Sequence, residues 1–500
     1  MHYDDVVIGS GAGSVIASRL SADPSRQVLL IEAGPGYLGA KQPEDLRDPW
    51  VSLVDHDWGY SADYRDGRVQ PYPRGKTLGG STAVNAAVAM RGSPADFADW
   101  VGRGNDQWSY EAVLPYYRRL ETEGGADPAV HGNSGPLWIE RAAPDRWSDQ
   151  GRAFVQAFGD LGFAALDDLN AGSSSGAGPV SHNVRDGVRQ STAIAYLDTA
   201  RSRSNLAIWD RCTASRVLFS GDRAVGVEYV RKGVAGAVTA GRVTVACGAI
   251  ESPPLLMRSG IGPEDTLRRL GIEPVAVSPE VGQNLADHAA VFVTALGAPT
   301  GREDPAEYFE FYMRDGSYYI ALLTLFSQRA LGVFYGDPNS APIVAVAPGV
   351  GRPRSRGSVE VVSRDPVPPQ VKLNFLTDPA DVATLLTATR LSWDVLHNKH
   401  LEPFVKQVQL PLPEIINDDA ALTSWMRATC GTGFHPVGTC RMGPDSDAAA
   451  VTDQRGRVRG VRGLWVADAS VMPGLVSAPV NLTCLMLAER IAEWMAAEDE

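Results

Sequence analysis

Apolar positions near the start of the chain first form a short run, then follow a helical period, then form a run again. The first run is β-branched, as buried parallel strands are. Val15, Ile16 and Leu20 follow at helical spacing, and the second run, VLLI, occupies residues 28–31. Strand, helix and strand in this order predict a βαβ unit over residues 4–36, with a right-handed crossover onto a parallel sheet.

Two similar strand patterns lie much later, in RVTVACG at 242–248 and GLWVADAS at 463–470. A parallel sheet built from such distant segments needs other material inserted between its strands. From about 286 to 430 the chain is rich in aromatic residues and proline, and segments such as SVEVVSRD and QVKLNFL alternate as antiparallel strands do. We therefore predict a second, sheet-based domain there, and a flexible loop at 170–179.

Composition narrows the classes of protein. A length of 500 residues exceeds one compact core and favours two or more interleaved domains. The net charge of -13 argues against nucleic-acid binding, which depends on basic residues facing phosphates. Apolar residues make up 44% of the chain, as in ordinary globular proteins. No run approaches the roughly 18 apolar residues that a transmembrane segment needs.

The cysteines and the N-terminus indicate the cellular compartment in which the protein is expected. The five cysteines are widely spaced and include no CxxC pair, which favours a reducing environment without a disulfide framework. The N-terminus enters a strand pattern almost at once, and no basic stretch followed by an apolar segment is visible. For a full native chain, these features predict a cytoplasmic protein.

The sequence GSGAGS, which begins at Gly9, joins the first predicted strand to the helix. Gly9 suits a tight turn, and Gly11 lets the backbone approach a pyrophosphate at the helix N-terminus, where free N–H groups favour anions. Glu32 follows 19 residues after Gly13 and can accept hydrogen bonds from a ribose hydroxyl. Ser14 replaces the third glycine of the motif, which predicts slightly looser helix packing. The pattern predicts a nucleotide site and leaves FAD and NAD both open.

Two further glycine-rich stretches carry a family resemblance. RGKTLGGSTAVNAAVAMRG spans 74–92, where glycines let backbone lie flat against a planar or anionic ligand, and GAIESPPLLMRSGIG spans 248–262. Both resemble the signature segments of the glucose–methanol–choline (GMC) family of flavin oxidoreductases. The similarity continues through VGQNLADH, FHPVGTCRMG, LWVADASVMP and NLTCLMLAERIAEWM, so it covers the chain from end to end.

The resemblance and the strand pattern together imply an α/β fold whose second domain is α+β. We expect a Rossmann-like FAD-binding domain with a parallel sheet, and an interleaved substrate-binding domain with an antiparallel sheet. The FAD-binding domain would comprise residues 1–150, 200–285 and 435–500. The substrate-binding domain would comprise residues 151–199 and 286–434.

FAD is the cofactor that the resemblance implies. Glu32 would hold the adenosine ribose, Val217 would line the adenine, and Asp468 would support the ribityl chain and diphosphate. The other cofactor-binding positions carried over from the family are Gly9, Gly11, Ala12, Gly13, Ser14, Ala33, Leu78, Gly79, Gly80, Ser81, Asn85, Ala86, Val88, Ala469, Asn481 and Leu482. Some family members attach FAD through a histidine at the position of Val84, so we predict non-covalent FAD.

His435 lies among glycines and small residues in GTGFHPVGTCRMG. From the residues alone it could be a metal ligand with Cys430 and Cys440, a packed core histidine, or a base. A metal would need a fourth ligand at short spacing, and none is nearby in the sequence. The neighbouring glycines also give the ring few apolar neighbours. An imidazole with a pKa of about 6.5 can act as a free base at neutral pH.

In the family the corresponding histidine removes the hydroxyl proton of an alcohol while a hydride leaves carbon for flavin N5. Its partner is a later histidine or asparagine, which here is Asn481, 46 residues on. The amide would hold the substrate oxygen without relaying a proton. Asn481 also begins a predicted helix whose positive end would favour negative charge on the flavin. His288, in the family motif LADH, is predicted to be structural.

The implied activity is FAD-dependent oxidation of a primary or activated alcohol to an aldehyde. The pattern is closest to members that act on aromatic or furanic alcohols, with choline-like and sugar substrates left open. The electron acceptor, oxygen or a redox carrier, also stays open. Competing hypotheses are a hydroxynitrile lyase with structural FAD and a flavin-binding protein without catalysis. The aromatic-rich segment 308–335 is predicted to form either core or the wall of an apolar substrate pocket.

Overall fold

The computed structural model describes residues 1–37, 41–49, 55–173, 175–297, 311–325 and 343–498. Two large sheets organise these residues. No helix among them is long and apolar enough to cross a membrane.

The first sheet confirms the predicted βαβ unit. Its first strand, His2–Ile8, pairs in parallel with Val28–Ile31 and with Val234–Val245, and Leu464–Val466 extends the parallel part beside Val234–Val245. The apolar runs are buried, as strands covered on both faces require. The seven strands of this sheet are His2–Ile8, Val28–Ile31, Leu206–Trp209, Cys212–Ser220, Arg223–Arg231, Val234–Val245 and Leu464–Val466.

Helix Gly13–Leu20 covers this sheet and packs against the C-terminal helix Asn481–Ala497. Between the elements of this layer, the fully buried Glu489 carboxylate accepts hydrogen bonds from the guanidinium of Arg19, at 2.7 Å, and from the hydroxyl of Tyr196, at 2.8 Å. The two ends of the chain therefore meet in one layer, which brings the first and last sequence motifs together.

The second sheet is antiparallel, as the alternating pattern predicts. Its eight strands are Ser175–Pro179, Ala289–Ala290, Val293–Gly297, Phe311–Asp315, Tyr318–Leu325, Ile343–Val350, Val405–Leu410 and Gly431–Thr432.

One prediction in this region is wrong. Residues 175–179 do not form a loop, because Ser175–Pro179 is an edge strand paired with Phe311–Asp315. Its small residues serve close packing, since a Cβ on Gly178 would lie 2.1 Å from the carbonyl oxygen of Leu166. Tertiary pairing thus overrides a composition that favours a loop.

A smaller sheet joins distant parts of the chain. Ser358–Glu360 and Gln370–Lys372 pair antiparallel, as predicted, but Gln370–Lys372 also pairs in parallel with Ser61–Asp63, which continues to Val69–Pro71. Segments assigned from sequence to different domains therefore share one sheet. The domain boundaries stay a prediction.

The remaining elements surround the three sheets. The short strands are Glu121–Glu123, Leu137–Arg141, Ser181–His182, Val184–Arg185, Val188–Arg189, Ile261–Gly262 and Ala276–Val277. The other α-helices are Glu44–Arg47, Pro94–Gly102, Tyr110–Leu120, Asp149–Asp160, Asp198–Ala200, Gly248–Arg258, Glu264–Leu270, Pro379–Leu396, Pro413–Ile416 and Asp419–Thr429. The 3-10 helices are Gly80–Ala83, Asp106–Trp108, Pro144–Arg146 and Ala469–Val471, and Ala193–Leu197 is a π-helix.

Candidate active site

A cavity of about 540 Å³ connects the two large sheets. At one end it is lined by the turn after the first strand, including Gly11, and by Glu32. At the other end it is lined by aromatic side chains of the second sheet, including Tyr312 and Tyr319. The parts of the chain that carry the sequence motifs thus border one continuous space.

The three glycines of the first turn have separate roles. Gly9 has φ +90°, and a Cβ there would lie 2.4 Å from the carbonyl oxygen of Ala246. A Cβ on Gly13 would lie 2.9 Å from Val7, so this glycine allows the close contact of helix and strand. Among the described residues, a Cβ on Gly11 would meet a single atom within 4 Å, the carbonyl oxygen of Gly79 at 3.9 Å. Gly9 and Gly13 are therefore needed by the fold, whereas Gly11 leaves room for a ligand.

The expected loosening at Ser14 is not what the structure shows. Ser14 is fully buried and its hydroxyl donates to the carbonyl of Ser10, while Gly13 provides the close approach to the strand. The sequence interpretation assigned this packing role to the wrong position of the motif.

Glu32 is a buried carboxylate at the same end of the cavity. It accepts hydrogen bonds from the backbone N–H of Ser10 at 3.1 Å and of Gly34 at 2.7 Å. Burial raises its pKa, and these hydrogen bonds oppose that shift. The side chain is fixed by backbone groups and lines the cavity.

The second glycine-rich stretch lies directly against the first turn. The N–H of Gly79 donates to the Ser10 hydroxyl at 2.8 Å, and a Cβ on Gly80 would lie 3.3 Å from the backbone nitrogen of Gly11. Both glycines have positive φ, at +97° and +54°. This backbone contact directs the residues that follow, Ser81 to Val88, along the cavity.

Asp468 joins the end of the last parallel strand to the third motif. Its carboxylate accepts hydrogen bonds from the backbone N–H of Gly248 and of Ser470, both at 2.8 Å, and from the hydroxyl of Ser252 at 2.5 Å. Burial raises its pKa against the effect of these donors. The carboxylate thereby holds the start of helix Gly248–Arg258 beside the cavity.

His435 is partly buried and lines the cavity. Its Nδ1 lies 2.8 Å from Nδ1 of His288, and its backbone N–H donates to Asp287 Oδ1 at 2.8 Å. Burial lowers the pKa of His435 well below its usual value, and the positive charge of the nearby Arg74 lowers it further. The ring is therefore a neutral imidazole at pH 7.

Asn481 begins the C-terminal helix, as predicted, and lines the same cavity as His435. Pro479 precedes that helix and is not part of its first turn. Among the hydrogen bonds of the described residues, the buried Nδ2 of Asn481 has no acceptor. A buried donor without a partner is costly unless a ligand supplies the acceptor.

Aromatic and aliphatic side chains line the cavity at the second sheet. Tyr312 and Tyr319 stack with ring centroids 5.1 Å apart, and Leu323 continues this face. The alternate residues, such as Met313 and Ile320, pack in the core behind the sheet. The described part of the aromatic-rich segment therefore forms core on one face of its strands and cavity wall on the other, and its role as the wall of a substrate pocket stays a prediction. Its remaining residues, 308–310 and 326–335, lie outside the described residues.

Most of the predicted site residues line the cavity. These are Gly9, Gly11, Ala12, Glu32, Ala33, Gly80, Ser81, Asn85, Ala86, Val88, His435, Asp468, Ala469 and Asn481. Six others lie outside the lining, namely Gly13, Ser14, Leu78, Gly79, Val217 and Leu482.

The strand that carries Val217 borders the cavity with other residues. The N–H of Val217 donates to the hydroxyl of Ser259 at 2.8 Å, and Cys212, Thr213 and Ala214 of the same strand line the cavity instead.

Sequence reasoning missed several lining residues. Trp58 and Tyr60 stack with centroids 5.7 Å apart, and the ammonium of Lys76 lies 4.4 Å from the Trp58 ring centroid. Lys76 belongs to the second glycine-rich stretch, so its spacing could have drawn attention to it. Nothing in the sequence alone brings Trp58 to the same place.

A second cluster of titratable groups lies outside the cavity lining. Its carboxylates are Glu121, Glu123 and Asp168, and its cations are Arg91, Arg141 and His131. Burial opposes a charge on the imidazole, but hydrogen bonds to three carboxylates raise the pKa of His131 to about 11. The carboxylates are thus balanced by cations of the chain itself, which makes the cluster a buried ion network.

Comparison with known protein families gives matches over most of the chain. The N-terminal model of GMC oxidoreductase matches residues 3–290, and the C-terminal model matches residues 353–488.

Similar proteins cover the chain from end to end. The 5-(hydroxymethyl)furfural oxidase of Methylovorus sp. (strain MP688) is 35% identical over 527 residues, which cover 98% of this chain and 98% of that protein. The oxygen-dependent choline dehydrogenase of Paraburkholderia xenovorans (strain LB400) is 35% identical over 532 residues, covering 98% and 94%. The crystal structure of pyridoxine 4-oxidase from Mesorbium loti matches with a TM-score of 0.91 at 30% identity, covering 100% of both chains. These matches confirm the predicted fold class.

Proposed function

Because the chain belongs to the GMC oxidoreductase family, we propose that it oxidises an aromatic or furanic primary alcohol to the aldehyde, with His435 as the base. The broader class follows from membership: the protein is an FAD-dependent oxidoreductase that acts on alcohol groups. Three of its relatives are named as oxidising enzymes for hydroxymethylfurfural, choline and pyridoxine, which supports a small alcohol as substrate.

The residues that line the cavity are chemically suited to hold FAD. Space is open above Gly11, where a side chain would meet only one carbonyl oxygen at 3.9 Å, so the backbone can take up a diphosphate. The buried Glu32 carboxylate lines the same end and has lone pairs for ribose hydroxyls. Ser81, Asn85 and the other lining residues of their stretch would extend along the rest of the cofactor. When bound, FAD accepts the hydride that leaves the alcohol carbon.

One observation carries the proposal: a neutral histidine lines the same apolar cavity as an asparagine whose amide nitrogen has no acceptor among the described residues. The imidazole of His435 would accept the hydroxyl proton of the alcohol, which contributes roughly 10²–10⁴-fold to the rate when the base is well placed. The Asn481 amide would donate to the alcohol oxygen and so orient it. The N-terminus of the helix that begins at Asn481 borders the cavity and favours negative charge there.

The preference for an aromatic or furanic alcohol rests on the opposite end of the cavity. Stacked Tyr312 and Tyr319 and the nearby Phe292 would present aromatic rings to a substrate, and Leu323 would add aliphatic surface. A planar ring can stack on such a surface, whereas a sugar has no aromatic face with which to stack.

Three finer features complete the proposal. FAD would be bound without a covalent bond, because Val84 stands at the position where some family members carry a linking histidine. The electron acceptor would be oxygen or a redox carrier. The location would be cytoplasmic, since all five cysteines are free.

The test is an anaerobic titration of the purified holoenzyme with benzylic, furanic, aliphatic, choline and sugar alcohols in turn. Flavin absorption and aldehyde are measured together. We expect benzylic and furanic alcohols to bleach the flavin fastest, with one aldehyde per flavin. A cyanohydrin is added in a parallel sample, where release of aldehyde without bleaching would instead indicate the lyase. Failure of every alcohol to bleach the flavin would contradict the proposal. Admission of air then separates an oxidase from a dehydrogenase, and acid precipitation should release FAD into solution.

A further inference from the structure

The motif LADH contributes two buried residues, Asp287 and His288, that do not line the cavity but lie directly behind His435. The Asp287 carboxylate uses both oxygens. Oδ1 accepts from the backbone N–H of His288 at 2.7 Å and of His435 at 2.8 Å, and Oδ2 accepts from the hydroxyls of Tyr72 at 2.6 Å and Thr432 at 2.5 Å. One carboxylate thus fixes the backbone of both histidines.

The ring of His288 has a defined pattern of donors and acceptors. Its Nε2 lies 3.0 Å from the carbonyl oxygens of both Gly351 and Val476. Because a carbonyl can only accept, Nε2 must carry a hydrogen. Burial lowers the pKa of His288, which keeps the ring neutral. A neutral imidazole with a hydrogen on Nε2 has a lone pair on Nδ1.

The lone pair on Nδ1 of His288 determines which ring nitrogen of His435 carries the hydrogen. The two Nδ1 atoms are 2.8 Å apart and the rings stand at 84° to each other, so one nitrogen must donate to the other. Since Nδ1 of His288 accepts, Nδ1 of His435 must donate. In the neutral ring of His435 the lone pair is then on Nε2. The Nδ1 edge is enclosed by His288 and Gly433, which leaves Nε2 for the cavity.

Gly433 is the residue that permits this contact. A Cβ at Gly433 would lie 2.9 Å from Cβ of His288 and 3.0 Å from Nδ1 of His435. Any larger residue would push the two rings apart. The glycine next to the base is therefore explained by the approach of a second histidine.

We propose that His288 is a positioning residue that fixes the tautomer of His435, so that Nε2 of His435 is the atom that accepts the hydroxyl proton of the substrate. This inference rests on the proposed role of His435 as base. The opposite tautomer of His435 would place its Nδ1 lone pair against that of His288 at a distance of 2.8 Å. The carbonyls of Gly351 and Val476, which hold the hydrogen of His288 on Nε2, therefore also determine which nitrogen of His435 carries a hydrogen.

The direct test is ¹⁵N NMR of the oxidised holoenzyme labelled at histidine, with His435→Gln used to assign the signals. We expect a hydrogen-bearing Nδ1 and a hydrogen-free Nε2 on His435 at pH 7.5. A hydrogen on Nε2 would overturn the proposal. This result needs no turnover, so it is independent of whether His435 proves to be the base.

Two variants of similar size separate positioning from structural support. An asparagine at 288 places its amide oxygen where Nδ1 stands and can still accept from His435, whereas a glutamine places its amide nitrogen near Nε2 and keeps the donor to the carbonyls. We expect His288→Asn to keep the Nδ1–H tautomer and to reduce its flavin within about threefold of the parent rate. We expect His288→Gln to lose the single tautomer and to react at least about tenfold more slowly, as when a buried group loses its partner. Equal rates, or loss in the asparagine variant alone, would contradict the assignment.

Discussion

The two ends of the cavity are built in different ways. The end at Gly11 and Glu32 is made of backbone groups and glycines from short motifs that lie against each other. The end at Tyr312 and Tyr319 is made of side chains on one face of two strands, whose other face packs in the core. The proposed cofactor end thus constrains the backbone itself, whereas the proposed substrate end depends on side chains that can change without altering the fold.

The largest expected effect is at the motif end. Gly11→Val should abolish FAD binding, because a branched side chain would occupy the space proposed for the diphosphate while meeting almost no protein atom. FAD binding is measured as the flavin absorbance per protein after gel filtration. Gly159→Val is the matched control, since a Cβ there meets nothing within 4 Å and lies outside the cavity lining. Full occupancy in Gly11→Val would mean that the site is misplaced.

At the junction of the two ends, His435→Ala should keep its FAD and lose rate. Flavin reduction in anaerobic stopped flow should slow by roughly 10²-fold or more, because no group remains to take the hydroxyl proton. The parent and the variant are compared at equal flavin content. Unchanged turnover would exclude His435 as the base.

At the aromatic end, Tyr312→Leu should leave FAD binding intact and alter substrate preference. We expect kcat/KM for a benzylic alcohol to fall by about two- to tenfold relative to an aliphatic one, since an aromatic pair contributes about 0.5–1.5 kcal/mol. Met313→Leu is the control, because Met313 is next to Tyr312 but faces the core, and leucine has a volume similar to that of methionine. An equal loss for both alcohols would show that Tyr312 does not contact the substrate ring.

The smallest expected effect is the change in the rate of flavin reduction with pH. Burial and the nearby guanidinium of Arg74 lower the pKa of His435, so the neutral base persists as the pH falls through 6.5. The rate of flavin reduction at pH 6 should therefore stay within about twofold of that at pH 7.5. A base with the usual pKa of about 6.5 would lose roughly fourfold over this range. A midpoint at or above 6.5 would contradict the burial argument.

The elements that could be predicted from the sequence are those whose structure follows from a local pattern of residues. The βαβ unit could be predicted because its strands are short apolar runs and the helix between them has its own period. The turn at Gly9 could be predicted because only glycine suits its positive φ. The helix at Asn481 likewise begins where its apolar pattern does.

The failures involve contacts between distant segments. Ser175–Pro179 becomes a strand only because Phe311–Asp315 pairs with it, and small residues alone favour a loop. Val217 lies on a strand of which other residues line the cavity. The sequence does not show which ones, because that depends on how the strand packs against Ser259. The 2.8 Å contact of His288 with His435 spans 147 residues, so the sequence could not show it, and the structural role expected for His288 stays a prediction.

The most direct test of the account is a crystal structure of the holoenzyme with a slowly reacting benzylic alcohol analogue. We predict the FAD diphosphate over Gly11, the aromatic ring of the analogue against Tyr312 and Tyr319, and its oxygen within hydrogen-bonding distance of both His435 Nε2 and Asn481 Nδ2. An analogue whose oxygen lies away from both side chains, or a cofactor that does not cover Gly11, would contradict it.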